Sequence, residues 1–216
     1  MNEKITLKEK VYNQIFEDII EGKYPPNHIL TENGLIEKYK VSKSPVREAL
    51  IELCKDNVLH SLPRLGYQVV PITLREVLDI LEFRLDLEIC ALRRSFPKLT
   101  QSDLEMLRKV ADIPEKEMEK SILPHWLRNQ QFHLALCKLS RNEYSYNILK
   151  DTLKQSSRYV SQYFNHAWES SGESNGFYHL AVTDALERRD IDLACRMLAE
   201  DIMAVKKEIQ EMHFLA

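Results

Sequence analysis

The spacing of hydrophobic residues predicts three short helices in the first third of the chain. Aliphatic residues recur at four-residue intervals from residue 7 to residue 19, which places them on one face of a helix. Thr31 can cap a second helix, because its side chain can accept a hydrogen bond from the first turn. A third helix is expected from about Ser42 or Ser44 to Asp56. Its inward stripe is Val46, Ala49, Leu50 and Leu53.

The hydrophobic period changes after Asn57, a residue that can adopt the left-handed conformation that ends a helix. Two β-prone runs, residues 58–62 and 67–70, flank the sequence Pro-Arg-Leu-Gly, which is typical of a β-hairpin. Three helices followed by a hairpin form a winged helix-turn-helix, whose turn-helix unit can enter the major groove of DNA. We therefore expect a DNA-binding domain over residues 1–72.

The remainder of the chain, residues 73–216, shows helical periods and no convincing strand. Thr73 and Glu76 have the spacing of a capping box, which predicts a helix that begins directly after the wing. The expected helices cover residues 74–95, 102–119, 122–139, 142–165, 174–188 and 191–212. Because their connections are short, we expect an antiparallel all-α bundle of about six helices and a mostly α fold overall.

Composition is that of a globular chain able to form one large domain or two modest ones. The 216 residues are 44% hydrophobic and 29% charged. No run of 18 uncharged apolar residues occurs, so we expect neither a membrane span nor a signal peptide, and a cytoplasmic location. Four separated cysteines without a CxxC motif favour buried free thiols over a zinc ribbon or a disulfide framework. They are Cys54, Cys90, Cys137 and Cys195.

The net charge of −3 conceals an asymmetry between the two parts of the chain. Residues 1–75 carry 11 basic and 10 acidic side chains, whereas residues 76–216 carry 19 and 23. Lys38, Lys40, Lys43 and Arg47 fall within ten residues that contain no acid. Such a basic stripe can bind phosphates, although a solvated helix end would show the same pattern.

Two segments of this sequence resemble the two domains of one family of regulators. Residues 22–69 resemble the DNA-binding domain of GntR-family bacterial transcription regulators. There, residues 41–50, Val-Ser-Lys-Ser-Pro-Val-Arg-Glu-Ala-Leu, match the recognition-helix pattern with two conservative changes. The C-terminal part resembles the FCD (FadR C-terminal) ligand-binding domain. The matching segments are Leu81-Glu-Phe-Arg84 with Leu87-Glu88, Phe132-His133 with Ser140-Arg-Asn142, and His179-Leu-Ala-Val-Thr-Asp-Ala-Leu186.

The resemblance implies a regulator of the FadR subfamily that binds palindromic double-stranded DNA as a homodimer. On this basis Arg47 is expected to read guanine, because its planar guanidinium can donate to O6 and N7 together. Lys43 stands where the family more often has Arg, and we expect it to bind phosphate. Ser42 is expected to act mainly as a helix cap. The expected DNA-contacting residues are Lys40, Ser42, Lys43, Ser44 and Arg47 on the helices and Arg64 and Gly66 on the wing. Alternatively, Arg47 pairs with Glu48 or Glu52 on a solvated face.

The resemblance also implies a divalent metal in the helical domain, held in the family by one Asp and three His. Here Asn129 occupies the Asp position, His133 and His179 match two of the histidines, and Asp201 stands at the position of the last. Zinc, nickel, manganese or iron could bind such a set. Alternatively, both histidines are hydrogen-bonded core residues, and the same pocket takes the effector directly.

Arg84 matches a family position that faces this cavity, where a small organic acid could serve as its anionic partner. The alternative is an ion pair with Asp86, Glu88 or another acid of the bundle. We expect a transcription regulator controlled by a small molecule, and not an enzyme. Two other functions remain as alternatives: a metal-dependent enzyme using His133, His179 and Asp201, and a helical module whose winged helix binds protein. The enzyme is disfavoured because no further acid or histidine is placed as a general base.

Overall fold

The computed structural model describes residues 5–112, 122–164 and 175–214, and in these ranges the chain is mostly helical. Its described residues form two compact units. One unit contains the residues up to Ile72 together with those from Lys154 to Phe164, and the other contains the rest. The first unit therefore includes a late segment of the chain that the sequence placed in the helical domain.

The helices of the first unit lie where the hydrophobic spacing predicted them. They are α1 (Leu7–Ile20), α2 (Glu32–Tyr39) and α3 (Lys43–Lys55). Thr31 caps α2 by accepting a hydrogen bond from the Gly34 N–H at 3.2 Å. Ser42 occupies the N-cap position of α3, but its hydroxyl caps no N–H of that helix among the described residues, so this part of the expectation was wrong.

A three-stranded antiparallel sheet accompanies these helices, with one strand more than the hairpin predicted. Its strands are β1 (Ile29–Leu30), β2 (Leu59–Leu62) and β3 (Gly66–Val69), in the order β1-β3-β2. Leu30 pairs with Tyr67, and Ser61 pairs with Tyr67 from the other side. At its start, β3 requires glycine, because Gly66 has φ +133° and a Cβ there would lie 2.3 Å from the Leu30 carbonyl oxygen.

The core of the first unit joins α1, α3 and the sheet through aliphatic side chains. Beside this core, the Asp18 carboxylate accepts hydrogen bonds from Tyr39 Oη at 2.6 Å and from Lys23 Nζ at 2.8 Å. Lys38 Nζ also lies 2.8 Å from it. The buried aliphatic residues are Val11, Ile15, Ile19, Leu30, Leu35, Val46, Ala49, Leu50, Leu53, Val58, Leu59 and Val69.

The second unit contains the predicted series of helices. They are α4 (Leu74–Ser95), α5 (Gln101–Ala111), α6 (Ile122–Lys138), α7 (Glu143–Tyr159), α8 (Asn175–Glu187) and α9 (Ile191–Phe214). A 3₁₀ turn at Phe96–Lys98 follows α4, and a π-helical turn at Val160–Phe164 follows α7. The end of α7, from Lys154 onward, and the π-helical turn belong to the first unit. The capping box of Thr73 and Glu76 forms as predicted.

Three expectations about this part of the chain need correction or fall outside the described ranges. Helix α5 ends at Ala111, because Asp112 is already extended, whereas the sequence predicted a helix to residue 119. Residues 113–119 and the loop expected at 170–172 lie outside the described residues. Cys90 is exposed on α4, although all four cysteines were expected to be buried; Cys137 and Cys195 are buried, and all four are free. No described helix is long and apolar enough to cross a membrane.

Candidate DNA-binding surface and metal site

The leading turns of α3 present their polar side chains to solvent. Lys43 and Arg47 are 67% and 65% exposed, and Ser44 is exposed between them. On the opposite face, Val46 and Ala49 are fully buried in the core. The hydrophobic stripe thus fixes which face of α3 is available to a partner, and that face carries two cations.

An acid at the start of α2 holds these two cations together. Glu32 lies with its carboxylate 3.4 Å from Lys43 Nζ and 3.9 Å from Arg47 Nε. The acids considered as alternative partners of Arg47 are engaged elsewhere: Glu48 accepts a hydrogen bond from the Ser44 hydroxyl at 2.7 Å, and Glu52 lies 3.2 Å from Lys8 Nζ. From the sequence, Glu32 was predictable only as an acid in the first turn of α2, and its contact with Lys43 and Arg47 was not.

The wing supplies further exposed groups near the start of α3. Arg64 at the tip of the hairpin is exposed, with φ +68°, and Gly66 begins the returning strand. An open groove is lined by Glu32, Lys43, Arg64 and Tyr67 among others, so the wing and the two helices share one surface. Lys40, which ends α2 in the left-handed conformation, is also exposed. All seven residues predicted to contact DNA therefore belong to this unit.

A cluster of buried potential metal ligands lies in the second unit. His133 on α6, His179 on α8 and Asp201 on α9 place one ligand atom each within 4.8 Å of the others. Nε2 of His133 lies 3.0 Å and Nε2 of His179 lies 3.5 Å from Oδ2 of Asp201. The three residues are at most 5% exposed. Three helices, two of them consecutive along the chain, thus bring together three of the four residues that the resemblance implied.

Three buried polar atoms of this cluster lack hydrogen-bond partners among the described residues. Among the described residues, neither carboxylate oxygen of Asp201 has a hydrogen-bond partner, and Nε2 of His179 has none. The contact between His133 and Asp201 is short but lacks hydrogen-bond geometry. Buried acceptors without partners are costly, so their convergence needs an explanation. Two imidazoles and a carboxylate are a donor set that divalent zinc and its first-row neighbours accept, and the residues fit such an ion.

Asn129 lies one turn before His133 on α6, which places both on one face of the helix. It is 9% exposed, and within the described part of the chain its Oδ1 has no hydrogen-bond partner. A neutral amide oxygen is a weaker ligand than the carboxylate of the family pattern. The role of Asn129 as a ligand stays a prediction.

Arg84 forms the ion pair that was considered as the alternative to effector binding. Its Nε lies 2.9 Å from Oε1 of Glu88, one turn further along α4. The second carboxylate oxygen of Glu88 lies 2.6 Å from Nδ1 of His133. All three side chains are at most 2% exposed. Contact between Arg84 and an effector stays a prediction, and Glu88 is a residue of the site that the sequence reasoning did not select.

The electrostatics of the cluster follow from burial and close charges. Burial would raise the pKa of Asp201, but the adjacent imidazoles of His133 and His179 outweigh it and hold that pKa well below its usual value. Burial likewise opposes ionisation of Glu88, and His133 and Arg84 together lower its pKa. Both carboxylates are therefore ionised at neutral pH, and for Asp201 this is the form that binds a cation.

His125 is another residue near the cluster that the sequence reasoning did not select. Burial is the largest cause that lowers the pKa of His125 to about 4, and the nearby His179 and Arg128 lower it further. His125 is therefore neutral at physiological pH. The sequence carried a signal for it, because His125, Asn129 and His133 follow one another at four-residue intervals on α6. This spacing places the three residues on one face of the helix.

Comparison with known proteins gives the same assignment for both parts of the chain. Residues 7–69 match the profile of bacterial regulatory proteins of the gntR family, and residues 79–204 match that of the FCD domain. The chain belongs to the GntR family, among the members that carry an FCD domain. It is a winged helix-turn-helix transcription regulator, as the sequence predicted, and the enzyme alternative has no support, because the family and its relatives are regulators.

Individual relatives support the family assignment over nearly the full length. The HTH-type transcriptional repressor RspR of Escherichia coli K12 is 22% identical over 213 residues, which cover 98% of this chain and 92% of the repressor. YdhC of Bacillus subtilis, an HTH-type transcriptional regulator, is 30% identical over 141 residues, 64% of this chain and 63% of YdhC. The solved structure of E. coli McbR/YncC has a TM-score of 0.79 at 21% identity and covers 97% of this chain.

Proposed function

We propose that this GntR-family regulator binds palindromic DNA as a homodimer and reads the sequence through the leading turns of α3. The observation that carries the proposal is the exposed pair Lys43 and Arg47, held together by Glu32 on the face opposite the core. A single helix in a groove gives an interface too small for tight specific binding. Two copies related by a two-fold axis match the two halves of a palindrome and double the contact area.

The proposed contacts differ in what they supply. Arg47 donates to a guanine edge, since its guanidinium can form two hydrogen bonds in the major groove. Phosphate contacts set the position of the helix on the duplex without reading its sequence. Arg64 and Gly66 bring the wing to the backbone or the minor groove, where the narrow, negative surface favours a guanidinium. The proposed phosphate contacts are Lys40, Lys43 and Ser44, with Ser42 adjacent to them.

We infer that the helical domain binds one divalent cation through His133, His179 and Asp201, with Asn129 as a weak neutral donor. Support comes from the three buried ligand atoms within 4.8 Å and from the acceptors that lack hydrogen-bond partners among the described residues. Zinc, nickel, manganese and iron all accept two imidazoles and a carboxylate. The ion would supply a Lewis-acidic anchor for a ligand, which can take a position that the three strong protein ligands leave open or displace the weak amide donor.

A small organic acid is the class of effector that suits this pocket. The positive charge of Arg84 is matched by Glu88, so a divalent cation beside Asp201 leaves the buried cluster with one uncompensated positive charge. A carboxylate would neutralise it, either at the ion or beside the Arg84 guanidinium. The effector can change operator affinity only by binding two arrangements of the protein with different strength.

The decisive experiment for DNA reading uses a duplex selected from the source genome by binding to the protein. We expect Arg47→Ala to bind this duplex and a scrambled duplex with nearly equal affinity, because a bidentate base contact contributes about 1–3 kcal/mol of discrimination. The matched control is Lys55→Ala, which removes an equally exposed cation from the other end of α3. If Arg47→Ala discriminates between the duplexes as well as the wild type does, Arg47 does not read the operator.

A further inference from the structure

We propose that Glu88, held in place by Arg84, is a positioning residue that fixes the ring and the proton of His133 in the metal site. This inference rests on the proposed cation site and deepens it, because it concerns how one ligand is prepared. It gives Arg84 a role that does not require contact with an effector. None of the three residues needs to move for this role.

The contacts form a continuous path from α4 to α6. Nε of Arg84 lies 2.9 Å from Oε1 of Glu88, and Oε2 of the same carboxylate lies 2.6 Å from Nδ1 of His133. On the far side of the ring, Nε2 of His133 lies 3.0 Å from Asp201. The imidazole thus uses one nitrogen for Glu88 and turns the other towards the acid that would share the cation.

The Glu88 contact determines which nitrogen of His133 carries the proton in the cation-bound site. A carboxylate can only accept, so Nδ1–H donates to Glu88, and the lone pair is left on Nε2. That lone pair is the one available to a cation next to Asp201. Histidine ligands of protein metal sites commonly donate their second N–H to an acid or a carbonyl, which fixes the ring and makes it a stronger ligand.

Arg84 makes a buried carboxylate tolerable at this position. An ionised acid that is 1% exposed would be strongly unfavourable without a positive partner, and Arg84 lies on the same helix at the spacing that allows pairing. Because one oxygen of Glu88 is held by Arg84, the carboxylate cannot swing towards the cation as a ligand without breaking the pair. The arrangement keeps Glu88 behind His133.

The experiment measures zinc affinity of the full-length protein by competition with a coloured chelator. The test variant is Arg84→Met/Glu88→Leu, because replacing both partners avoids a buried unpaired charge and leucine offers no acceptor to Nδ1–H of His133. We expect its zinc affinity to fall about 10- to 100-fold, the usual effect of removing such an outer partner. The matched control is Arg108→Gln/Glu187→Gln, which removes an ion pair of 2.8 Å between α5 and α8 and leaves the zinc affinity unchanged.

A second measurement separates positioning from simple stabilisation of the fold. In the zinc-loaded wild type, nuclear magnetic resonance should show a slowly exchanging Nδ1–H proton on His133, and the double variant should lose that resonance. Equal zinc affinities of wild type and double variant, or a zinc-loaded wild type without this resonance, overturn the positioning role and leave the cation site standing. A wild type that binds no zinc overturns both the cation site and the positioning role.

Discussion

The carboxylate of Glu32 lies 3.9 Å from Nε of Arg47, although the two residues belong to different helices. An acid on a surface that faces DNA repels phosphates, so its presence weakens non-specific attraction. The same acid restricts the directions in which Arg47 and Lys43 can point. We therefore expect Glu32 to reduce the total affinity for DNA and to increase selectivity.

We predict that Glu32→Gln binds scrambled DNA more tightly than the wild type and discriminates less between operator and scrambled duplex. The expected gain in non-specific affinity is a few-fold, because an exposed charge interaction contributes about 1 kcal/mol or less. The measurement is fluorescence anisotropy at two salt concentrations, with Glu37→Gln on the exposed face of α2 as the control. Unchanged discrimination by Glu32→Gln would contradict the orienting role of the acid.

We predict that Gly66→Ala destabilises the DNA-binding unit by at least about 2 kcal/mol. A backbone φ of +133° is strained for alanine, and the new Cβ would lie 2.3 Å from the Leu30 carbonyl oxygen. Gly34→Ala is the matched control, because Gly34 lies in α2 and its nearest neighbour is the Thr31 hydroxyl at 3.1 Å. There the gain in helix propensity, about 1 kcal/mol, offsets the crowding. Urea denaturation measures both, and equal stabilities of the two variants would refute the strain at Gly66.

The pH dependence of stability should include a contribution from Asp18. Burial opposes its ionisation, but hydrogen bonds from Lys23, Lys38 and Tyr39 outweigh burial and place its pKa below the usual value of 3.8. A lowered pKa in the folded state stabilises the protein above the unfolded pKa, and this contribution is lost as the pH falls through the folded value. At pH 7, Asp18→Asn should cost about 1–3 kcal/mol, the range for hydrogen bonds to a charged group.

Below about pH 4 the difference between wild type and Asp18→Asn should shrink, because protonation removes the same charge that the mutation removes. The measurement is urea unfolding at a series of pH values, with Glu37→Gln as an exposed control that changes little. A difference that stays constant from pH 7 to pH 3 would show that the carboxylate charge of Asp18 does not stabilise the fold.

Elemental analysis of the purified protein should find close to one divalent ion per chain. His133→Ala and His179→Ala should each lose it, whereas His60→Ala, on the exposed face of β2, should keep it. Added zinc at 100 times its dissociation constant should stabilise the wild type by about 2.7 kcal/mol and should not stabilise the two site variants. An ion content that is the same in His179→Ala and wild type would exclude His179 as a ligand.

The parts of the fold that depend on local sequence could be predicted, and those that depend on distant contacts could not. The start of α3 follows from a local hydrophobic stripe and a proline in the first turn. Strand β1 has only two residues, too few to show a period. It forms because β3 pairs with it, through residues 37 and 39 positions further along the chain. The early end of α5 had a sequence signal, Pro114, since proline disfavours helix in the residue before it.

In the candidate metal site, too, some residues could be predicted from the sequence, and others depend on contacts between distant residues. His133 and His179 were selected because the resemblance to the family named their positions. Glu88 was not selected as a site residue, because its contact with His133 joins residues 45 positions apart on two packed helices. The four-residue spacing of Arg84 and Glu88 predicted that the two can pair. The direction of the second Glu88 carboxylate oxygen depends instead on how α4 packs against α6.

The segment from Leu30 to Glu32 takes part in three structures at once: Leu30 pairs with the wing strand, Thr31 caps α2, and Glu32 reaches Arg47. We therefore expect substitutions in this three-residue segment to displace the wing and the start of α3 together. We expect such changes to alter operator preference while the residues proposed to contact bases stay the same.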